Sequence, residues 1–434
     1  MQTPQPFARH GGEKMLYDVR QGPVALLRDD VVYVAYHANP EDAPPDPYLV
    51  TCDLPSGEWS EPARVGECER YDHHYAPVLW LDHDERMHVL YNCHGGTGTH
   101  IVAAEPGSID AWTDGPTIAR SISYPHAIPM ADGRLVLYYR TLGHMGHWGY
   151  QVSGDGGFTW TEPRTLVDMD RDPRIQHDCW AGSYHSAVAS RYRRSVHIAF
   201  VYLDEQRRRN PLYDRTFKSK CTLNRYHLYY MRLDVGSGEL RTIAGDWLAP
   251  PVNREQAEAC KALDTGHHLT NMPSIWADEK DQPIFLMPES GETPWDCTFF
   301  CICPRAGGWQ KTPVAKTNGT WCGCLLRGDD DGRLTAYVSS GKGDGEVLDY
   351  GGGDLEEWTS ADRGLTWTQA RTLAPEPGLL YNNPRVIERP TGEVVGDFIL
   401  FFGWEGPGSL CQEPGPSQAR NRGKAFLWHE RRWL

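Results

Sequence analysis

The sequence predicts an all-β protein, a seven-bladed β-propeller built from four-stranded antiparallel blades. One sequence pattern recurs seven times: an apolar run, a short polar turn with Asp, Gly or Arg, and a second apolar run. Alternating apolar residues on both sides of such a turn predict a β-hairpin. Helical periodicity is almost absent, and the 44 glycines, 32 prolines and 16 tryptophans suit short strands and tight turns. Self-similar units repeated along one chain are typical of propellers.

The seven hairpin segments are spread along the whole chain. They cover residues 22–37, 76–94, 125–140, 185–202, 272–288, 323–340 and 383–402. No flexible linker or block of charge divides the 434 residues. We therefore expect residues 1–434 to form a single seven-bladed domain.

Charge and hydropathy narrow the choice of partners. The net charge of −15 argues against nucleic acid or a membrane surface as a partner. No stretch of apolar residues is long enough to span a bilayer. We also expect the protein to be a monomer. The first residues, MQTPQPFARHGGEK, lack the apolar segment of a signal peptide, so we expect a cytoplasmic protein, or a secreted or periplasmic one if the chain is trimmed.

The twelve cysteines do not form the spacing pattern of a small disulfide scaffold. Two pairs, Cys301 with Cys303 and Cys322 with Cys324, could hold zinc because alternation places each pair on one face of a strand. Buried packing thiols are the favoured interpretation. No metal is predicted at the site of chemistry, and a structural Ca²⁺ or Zn²⁺ is left open.

A second motif closes several of the repeats. The segments SGDGGFTW (residues 153–160) and SADRGLTW (residues 360–367) combine a turn-capping Ser and Asp, a Gly for positive φ, and a Trp that packs between blades. Both match the Asp-box of sialidase-type (BNR) propellers. Weaker versions end at Trp59, Trp112 and Trp309. We interpret this motif as structural and not as catalytic.

Strand direction in a propeller sorts the polar residues by face. The start of the first strand of a blade and the end of its second strand lie on one face, near the axis, whereas the turn between them lies on the opposite face. The turns hold His83, Arg86, Arg134, Asp278 and Asp331, which we expect to be solvated. The shared face receives His73, His74, His94, Tyr124, Arg140, Tyr184, Asn271, Asn383 and Arg385.

Residues of these types can transfer protons and bind a carboxylate. His and Tyr exchange protons, and Arg binds a carboxylate through two hydrogen bonds. Structural alternatives remain at each position: a histidine near a strand end is often structural, Tyr124 could pack on the next blade, and Arg140 could pair with Asp72. We expect His73, Asn271, Asn383 and Arg385 to contact substrate.

A basic segment follows the fourth hairpin. Between residues 204 and 224 it carries the cations Arg207, Arg208, Arg209, Arg215, Lys218 and Lys220. A basic loop in an acidic protein suits an anionic ligand. The alternative is a solvated surface insertion.

The phrases YDHHYAPVLWLDHDERMHVLYNCHGG and SYPHAIPMADGRLVLYYR resemble the BNR-type propeller polysaccharide lyases, which include ulvan lyases and L-rhamnose-α-1,4-D-glucuronate lyases. The resemblance is best over residues 70–203. It implies that His74, His94, Tyr124, Arg140 and Tyr184 are catalytic.

The resemblance implies β-elimination at a uronic acid, with no cofactor required. His74 would remove the C5 proton, Arg140 with His94 would neutralise the carboxylate, and Tyr124 or Tyr184 would protonate the leaving C4 oxygen. The alternatives are a glycoside hydrolase of the α-L-rhamnosidase or sialidase type and a non-catalytic glycan-binding propeller. A sialidase is disfavoured because only Arg140 and Arg385 occupy suitable positions among the three arginines it needs.

Overall fold

All seven predicted hairpins are present as neighbouring hydrogen-bonded strands, so the all-β prediction is confirmed. The computed structural model describes residues 4–11, 15–39, 44–68, 70, 72–143, 146–171, 181–204, 210–213, 224–341, 352–405, 423–430 and 432–434. These residues contain six sheets. Contacts divide the chain into two compact units, one of Met1–Thr165, Arg385–Glu405 and Pro414–Leu434, the other of Leu166–Pro384 and Gly406–Glu413.

The largest sheet contains the first and the last predicted hairpins. Its ten strands are β1 (Ala8–Arg9), β2 (Ala25–Arg28), β3 (Val31–Ala38), β4 (Asp46–Asp53), β5 (Glu58–Trp59), β6 (Ala63–Arg64), β30 (Leu379–Glu388), β31 (Val394–Glu405), β32 (Gly423–His429) and β33 (Arg432–Trp433). The N-terminal strand β1 pairs antiparallel with β32 near the other end of the chain. One parallel pair, Leu26 with Glu388, joins β2 to β30.

The second and third predicted hairpins each begin a sheet of their own. The second sheet contains β7 (Val78–Leu81), β8 (Met87–Tyr91), β10 (Thr99–Ala103) and β11 (Trp112–Asp114). The third contains β9 (His94–Gly96), β12 (Ile122–Pro129), β13 (Leu135–Arg140), β14 (Trp148–Ser153) and β15 (Arg164–Val167). Strand β9 follows β8 in the chain but pairs with β12, which matters for the site below.

The remaining three sheets carry hairpins four to six. The fourth contains β16 (Ala181–Ala189), β17 (Ser195–Asp204), β18 (Arg225–Asp234), β19 (Leu240–Arg241), β20 (Trp247–Leu248) and β21 (Lys261–Leu263). The fifth contains β22 (Ser274–Ala277), β23 (Pro283–Ser290), β24 (Cys297–Arg305) and β25 (Gly308–Thr317). The sixth contains β26 (Cys324–Gly328), β27 (Leu334–Ser339), β28 (Leu355–Ser360) and β29 (Thr368–Leu373).

Helix is scarce in the described part of the chain. It comprises α1 (Arg254–Ala257) and three single 3₁₀ turns, His73–Tyr75, Met169–Arg171 and Glu258–Cys260. No helix there is long and apolar enough to cross a membrane. The strands therefore supply nearly all regular structure, as the glycine- and proline-rich composition predicts.

We call each predicted hairpin, together with the strands that continue its sheet, a strand group. The hydrophobic cores described here lie between consecutive strand groups. Leu26 and Leu49 pack with Leu79 and Val89, so the first group packs on the second. In the other unit, Phe299 of β24 packs with β26 and β27 in the same way. Face-to-face packing of apolar sheet surfaces is the main stabilising contribution in all-β architectures.

Both full Asp-boxes form the predicted capped turns. Asp155 accepts hydrogen bonds from Phe158 N (3.1 Å), Thr159 N (2.9 Å) and Thr159 Oγ1 (2.7 Å). Asp362 accepts the equivalent three bonds from Leu365 and Thr366. The motif therefore forms the capped turns that the sequence predicts, and its purely structural role stays a prediction.

A glycine of the second Asp-box, Gly364, packs against the cysteine pair Cys301 and Cys303. Gly364 has a φ of +84°, and a Cβ added there would lie 3.0 Å from Cys301 Sγ and 3.3 Å from Cys303 Sγ. These two sulfurs are buried and lie 3.6 Å apart. They pack under the motif, and the nine described cysteines form no disulfide.

Candidate active site

The 3₁₀ turn His73–Tyr75 places two adjacent histidines at the start of the second hairpin. Asp72 caps this turn, because its carboxylate accepts a hydrogen bond from His74 N at 2.9 Å. Asp is a favoured residue at such a cap, since it satisfies a backbone N–H that the turn leaves without an internal partner. The cap fixes the backbone from which both imidazoles project.

Strand pairing brings the next predicted residues to the same place. Ser123 of β12 is paired with His94 of β9 on one side and with Arg140 of β13 on the other. The β12–β13 register shifts between Ser123 and His126, which marks a bulge. The bulge contains Tyr124, whose φ of +54° is rare for an aromatic residue. Such backbone outliers cluster at functional sites because the fold must over-determine them.

Asp72 anchors two imidazoles at once. One carboxylate oxygen is in close contact with His74 Nδ1, and the other lies 2.7 Å from His94 Nδ1. An ionised carboxylate only accepts hydrogen bonds, so both Nδ1 atoms carry the proton. In the neutral imidazoles the lone pair is then on Nε2, which is the atom that can accept a proton. The two rings stack with their centroids 4.0 Å apart.

Electrostatics fix the charge states of this group. Burial alone would raise the pKa of Asp72, but its interactions with the His74 and His94 rings hold it well below its usual range. Burial lowers the pKa of His74 well below its usual value, and the opposing effect of Asp72 does not restore it. At neutral pH the site therefore contains an ionised Asp72 beside a neutral His74, which is the form a base requires.

Tyr124 lies at the centre of the cluster. Its side chain is fully buried, and its hydroxyl lies 3.5 Å from His94 Nε2. The Arg140 guanidinium carbon is 4.7 Å from the centre of the Tyr124 ring, and the His74 ring centroid is 5.4 Å away. The four strongest candidates from the sequence, His74, His94, Tyr124 and Arg140, are thus brought together.

An ion pair that the sequence analysis missed lies against this cluster. Arg20 and Asp18 are 2% and 0% exposed and are joined by two side-chain hydrogen bonds, at 2.8 and 2.5 Å. Arg20 Nη2 lies 2.7 Å from His73 Nε2, and the Arg20 guanidinium carbon is 5.0 Å from the centre of the Tyr124 ring. One signal was available: Arg20 stands just before the first hairpin, as His73 and His74 stand just before the second.

Two of the predicted substrate contacts in this unit have structural partners. His73 is buried, stacks on His74 at 4.0 Å and contacts Arg20. Arg385 Nη2 donates to the carbonyl oxygens of Asp18 (2.8 Å) and Gln21 (2.6 Å). Arg385 therefore braces the turn that carries Arg20. A direct contact of either residue with substrate stays a prediction.

An open cleft of about 750 Å³ reaches His94. Its walls include Arg70, Asn92, Leu142 and a glycine-rich stretch, residues 95–98. Leu142 is 62% exposed, which leaves an apolar surface at the rim. A concave space with an imidazole at its wall suits a sugar chain, which presents both apolar faces and hydroxyl groups.

The other predicted residues lie in the second unit. Tyr184 is buried, and the Arg225 guanidinium lies 4.0 Å from its ring centre and 4.1 Å from that of Trp321. Asn271 accepts a hydrogen bond from Arg225 and donates one to Thr320 O at 3.0 Å.

Asn383, also in that unit, is buried and has a φ of +50°, and its N–H donates to Asn382 Oδ1 at 2.8 Å. The catalytic role of Tyr184 and the substrate contacts of Asn271 and Asn383 stay predictions. The basic loop cations, Arg207, Arg208, Arg209, Arg215, Lys218 and Lys220, lie outside the described residues.

Two overlapping groups of side chains have the donor atoms to hold a metal ion. They are Asp18, His73 and His74, and Asp72, His74 and His94, with donor atoms within 4.8 Å of one another. The Arg20 guanidinium disfavours a cation in the first group, because it contacts both Asp18 and His73. In the second group the donor atoms are joined by hydrogen bonds, as in a proton-transfer site.

Comparison with known proteins places the chain in a family. The BNR repeat-containing family matches residues 31–317. An ulvan lyase of Pseudoalteromonas sp. (strain PLSV) is 26% identical over 393 residues, which are 81% of this chain and 74% of that protein. An ulvan lyase of Alteromonas sp. (strain LOR) is 24% identical over 290 residues, 61% of this chain and 57% of that protein.

Solved structures show the same fold. A polysaccharide lyase PL25 ulvan lyase bound to GlcA(1-4)Rha3S superimposes with a TM-score of 0.80 at 20% identity, covering 100% of this chain and 97% of that one. The polysaccharide lyase Uly1 gives a TM-score of 0.61 at 11% identity, over 95% and 90% of the two chains. The chain belongs to the BNR repeat-containing family and groups within it with polysaccharide lyases.

Proposed function

We propose that the protein cleaves a glycosidic bond at C4 of a uronic acid in a rhamnose–glucuronate glycan by β-elimination. The observation that carries this proposal is the convergence of two anchored imidazoles, one phenol and one guanidinium, with one of the imidazoles, that of His94, on the wall of a cleft. These are the groups that a β-elimination requires: a base, an acid and a cation for the carboxylate. The similarity to ulvan lyases supports the substrate class.

The base is assigned to His74. It is the more firmly held imidazole, because Asp72 accepts hydrogen bonds from both its backbone N–H and its Nδ1. Its neutral state leaves Nε2 able to take the C5 proton of the uronate. The electron pair of that C–H bond then forms the C4–C5 double bond while the bond from C4 to the glycosidic oxygen breaks. Asp72 stabilises the imidazolium that results.

The acid is assigned to Tyr124 and the carboxylate site to Arg140. The phenol gives its proton to the departing oxygen, and the guanidinium neutralises the uronate carboxylate so that the carbanion can form. The 3.5 Å contact between Tyr124 hydroxyl and His94 Nε2 offers a path for returning a proton to the phenolate after product release. His94, on the cleft wall, contributes to binding the carboxylate. Tyr184 remains the alternative acid.

The same proposal includes the finer architecture and the partners. The seven hairpin-centred strand groups would be seven blades of one propeller, consistent with the similarity in fold to the PL25 enzyme. The substrate would be an anionic polysaccharide or oligosaccharide. The chemistry needs no cofactor, because every proton and charge is handled by the side chains named above.

The test is product analysis on ulvan and on gum arabic side chains. The lyase forms 4,5-unsaturated uronate, which absorbs in the ultraviolet, and adds no water to its products. A glycoside hydrolase would give products heavier by one water with no double bond. A glycan-binding protein would retain the polysaccharide without changing it. Either result with purified, folded protein would overturn the proposal. His83→Ala, in an exposed hairpin turn, is the matched control and keeps full activity.

A further inference from the structure

Tyr124 lies close to two guanidinium groups, only one of which the proposed reaction uses. Arg140 lies 4.7 Å from the ring centre and Arg20 lies 5.0 Å from it. Cations within about 6 Å of an aromatic ring centre interact favourably with it. Arg20 is 2% exposed and its guanidinium is engaged by Asp18 and His73, so we assign its action to the ring and not to a substrate.

The fold holds Arg20 in place from several sides. Asp18 receives hydrogen bonds from Arg20 Nε and Nη2 and also from its backbone N–H, at 2.8 Å. Arg385 binds the carbonyl oxygens on either side of Arg20. Gly22 N–H donates to Pro125 O at 3.0 Å, which ties this turn to the strand that carries Tyr124. Such convergence on one buried side chain exceeds what local structure requires.

The charge of Arg20 matters at the moment when Tyr124 gives up its proton. The donor then becomes a phenolate, which is costly in a buried site unless cations lie close to it. Among the described residues, the charged and titratable groups that contact the Tyr124 ring include Arg20, Arg140, His74 and His94. Arg140 is engaged by the substrate carboxylate in the proposed reaction, whereas Arg20, although paired with Asp18, keeps its guanidinium carbon 5.0 Å from the centre of the Tyr124 ring.

We propose that Arg20 is a positioning residue that holds the Tyr124 ring and stabilises its phenolate when the leaving oxygen is protonated. This inference rests on the proposed lyase reaction. In that step the O–H bond of Tyr124 breaks, the proton moves to the departing C4 oxygen, and the phenolate remains beside Arg20. Asp18 keeps the guanidinium aligned, and Arg20 in turn fixes the neighbouring His73 through its contact with Nε2.

The pH profile tests this role in the full-length protein. The alkaline limb of kcat requires a protonated Tyr124, and removal of a nearby cation makes that proton harder to lose. Arg20→Met should therefore move the alkaline limb to higher pH and lower kcat by about ten-fold or more. Arg20→Lys keeps the positive charge, so its alkaline limb and its kcat should lie between those of Arg20→Met and the wild-type protein. A profile of unchanged shape in Arg20→Met would overturn the inference.

A change of leaving group separates this role from a purely structural one. In a 4-deoxy-4-fluoro-uronate, fluoride leaves from C4 and depends far less on proton donation, while the base and Arg140 work as before. The kcat defect of Arg20→Met should largely disappear on this substrate. An equal defect on both substrates would indicate a general distortion of the site and would contradict the proposal.

Two controls complete the experiment. Arg86→Met removes an arginine that likewise lies over an aromatic ring, Phe158 at 5.4 Å, and pairs with Asp82 at 3.1 Å, so it should leave kinetics unchanged. Thermal unfolding of each variant shows whether the fold is intact, and Arg20→Lys remains available if Arg20→Met fails to fold. If the wild-type protein itself forms no unsaturated product, the proposed lyase function fails, independently of Arg20.

Discussion

At the scale of single residues, the Asp72 carboxylate determines what the histidines can do. Its two oxygens hold His74 and His94 by their Nδ1 atoms, so the same tautomer is imposed on both rings. Burial lowers the pKa of His74 and keeps it neutral. One carboxylate thus prepares a base and orients its neighbour.

The exchange Asp72→Asn tests this arrangement. A carboxamide can accept from only one of the two Nδ1–H groups through its single oxygen, so at least one ring loses its anchor or changes tautomer. We expect kcat to fall by about 10³-fold or more, because a wrong tautomer removes the proton-accepting nitrogen. Initial rates of unsaturated uronate formation give the measurement. Retained kcat with only a higher KM would show that Asp72 acts in binding alone.

Alanine variants of His74 and His94 distinguish the roles of the two imidazoles. His74→Ala should lose about 10²- to 10⁴-fold in kcat, the usual contribution of a general base. His94→Ala should mainly raise KM, because His94 lies on the cleft wall. The comparison uses kcat and KM on one polysaccharide preparation, with His83→Ala as the reference. The reverse pattern would assign the base to His94.

At the scale of elements, the sequence predicted the repeated hairpins and Asp-boxes, but it did not predict the features that occur only once. Apolar alternation and turn residues are local signals, and they correctly located seven hairpins and two Asp-boxes. The rule that the start of the first strand and the end of the second share a face also grouped His74, His94, Tyr124 and Arg140. Arg20 and Asp18 were missed because they lie outside a repeat and reach His73 across 53 residues. The positive φ of Tyr124 depends on a bulge, for which no local signal exists.

The Asp-boxes should contribute to stability and not to catalysis. Asp155 and Asp362 each accept three hydrogen bonds within their own turn, and no residue of either motif lines the cleft. Loss of these bonds in Asp155→Ala should lower the midpoint of thermal unfolding by roughly 2 °C or more.

Kinetics in that variant should match the wild-type protein at a temperature where both are folded. Asp362→Ala should behave in the same way, since its turn has the same hydrogen bonds. Asp331→Ala, an exposed residue in a hairpin turn, serves as the unaffected control. A selective loss of kcat in Asp155→Ala would contradict a purely structural role.

At the scale of the whole molecule, buried histidines make the fold sensitive to mild acid. Burial is the main cause that lowers the pKa of His37 to about 3 and that of His88 to about 4, and both side chains are 0% exposed. The unfolded chain, with histidine pKa values near 6.5, takes up these protons first as the pH falls. The stability from these groups is therefore fully present above about pH 6.5 and decreases toward pH 3 to 4.

The buried carboxylate of Asp18 affects stability at a lower pH than the histidines do. Arg20 and the nearby histidines hold the pKa of Asp18 well below its usual value although burial opposes this, so its contribution is present above about pH 4 and is lost below it. Thermal unfolding recorded from about pH 8 to about pH 3 should therefore show the midpoint falling from about pH 6.5 onward. His37→Gln should reduce that slope while leaving the loss below pH 4 in place. A midpoint that stays constant down to pH 4.5 would mean that these histidines become protonated without unfolding the protein, and that their burial does not govern its stability in acid.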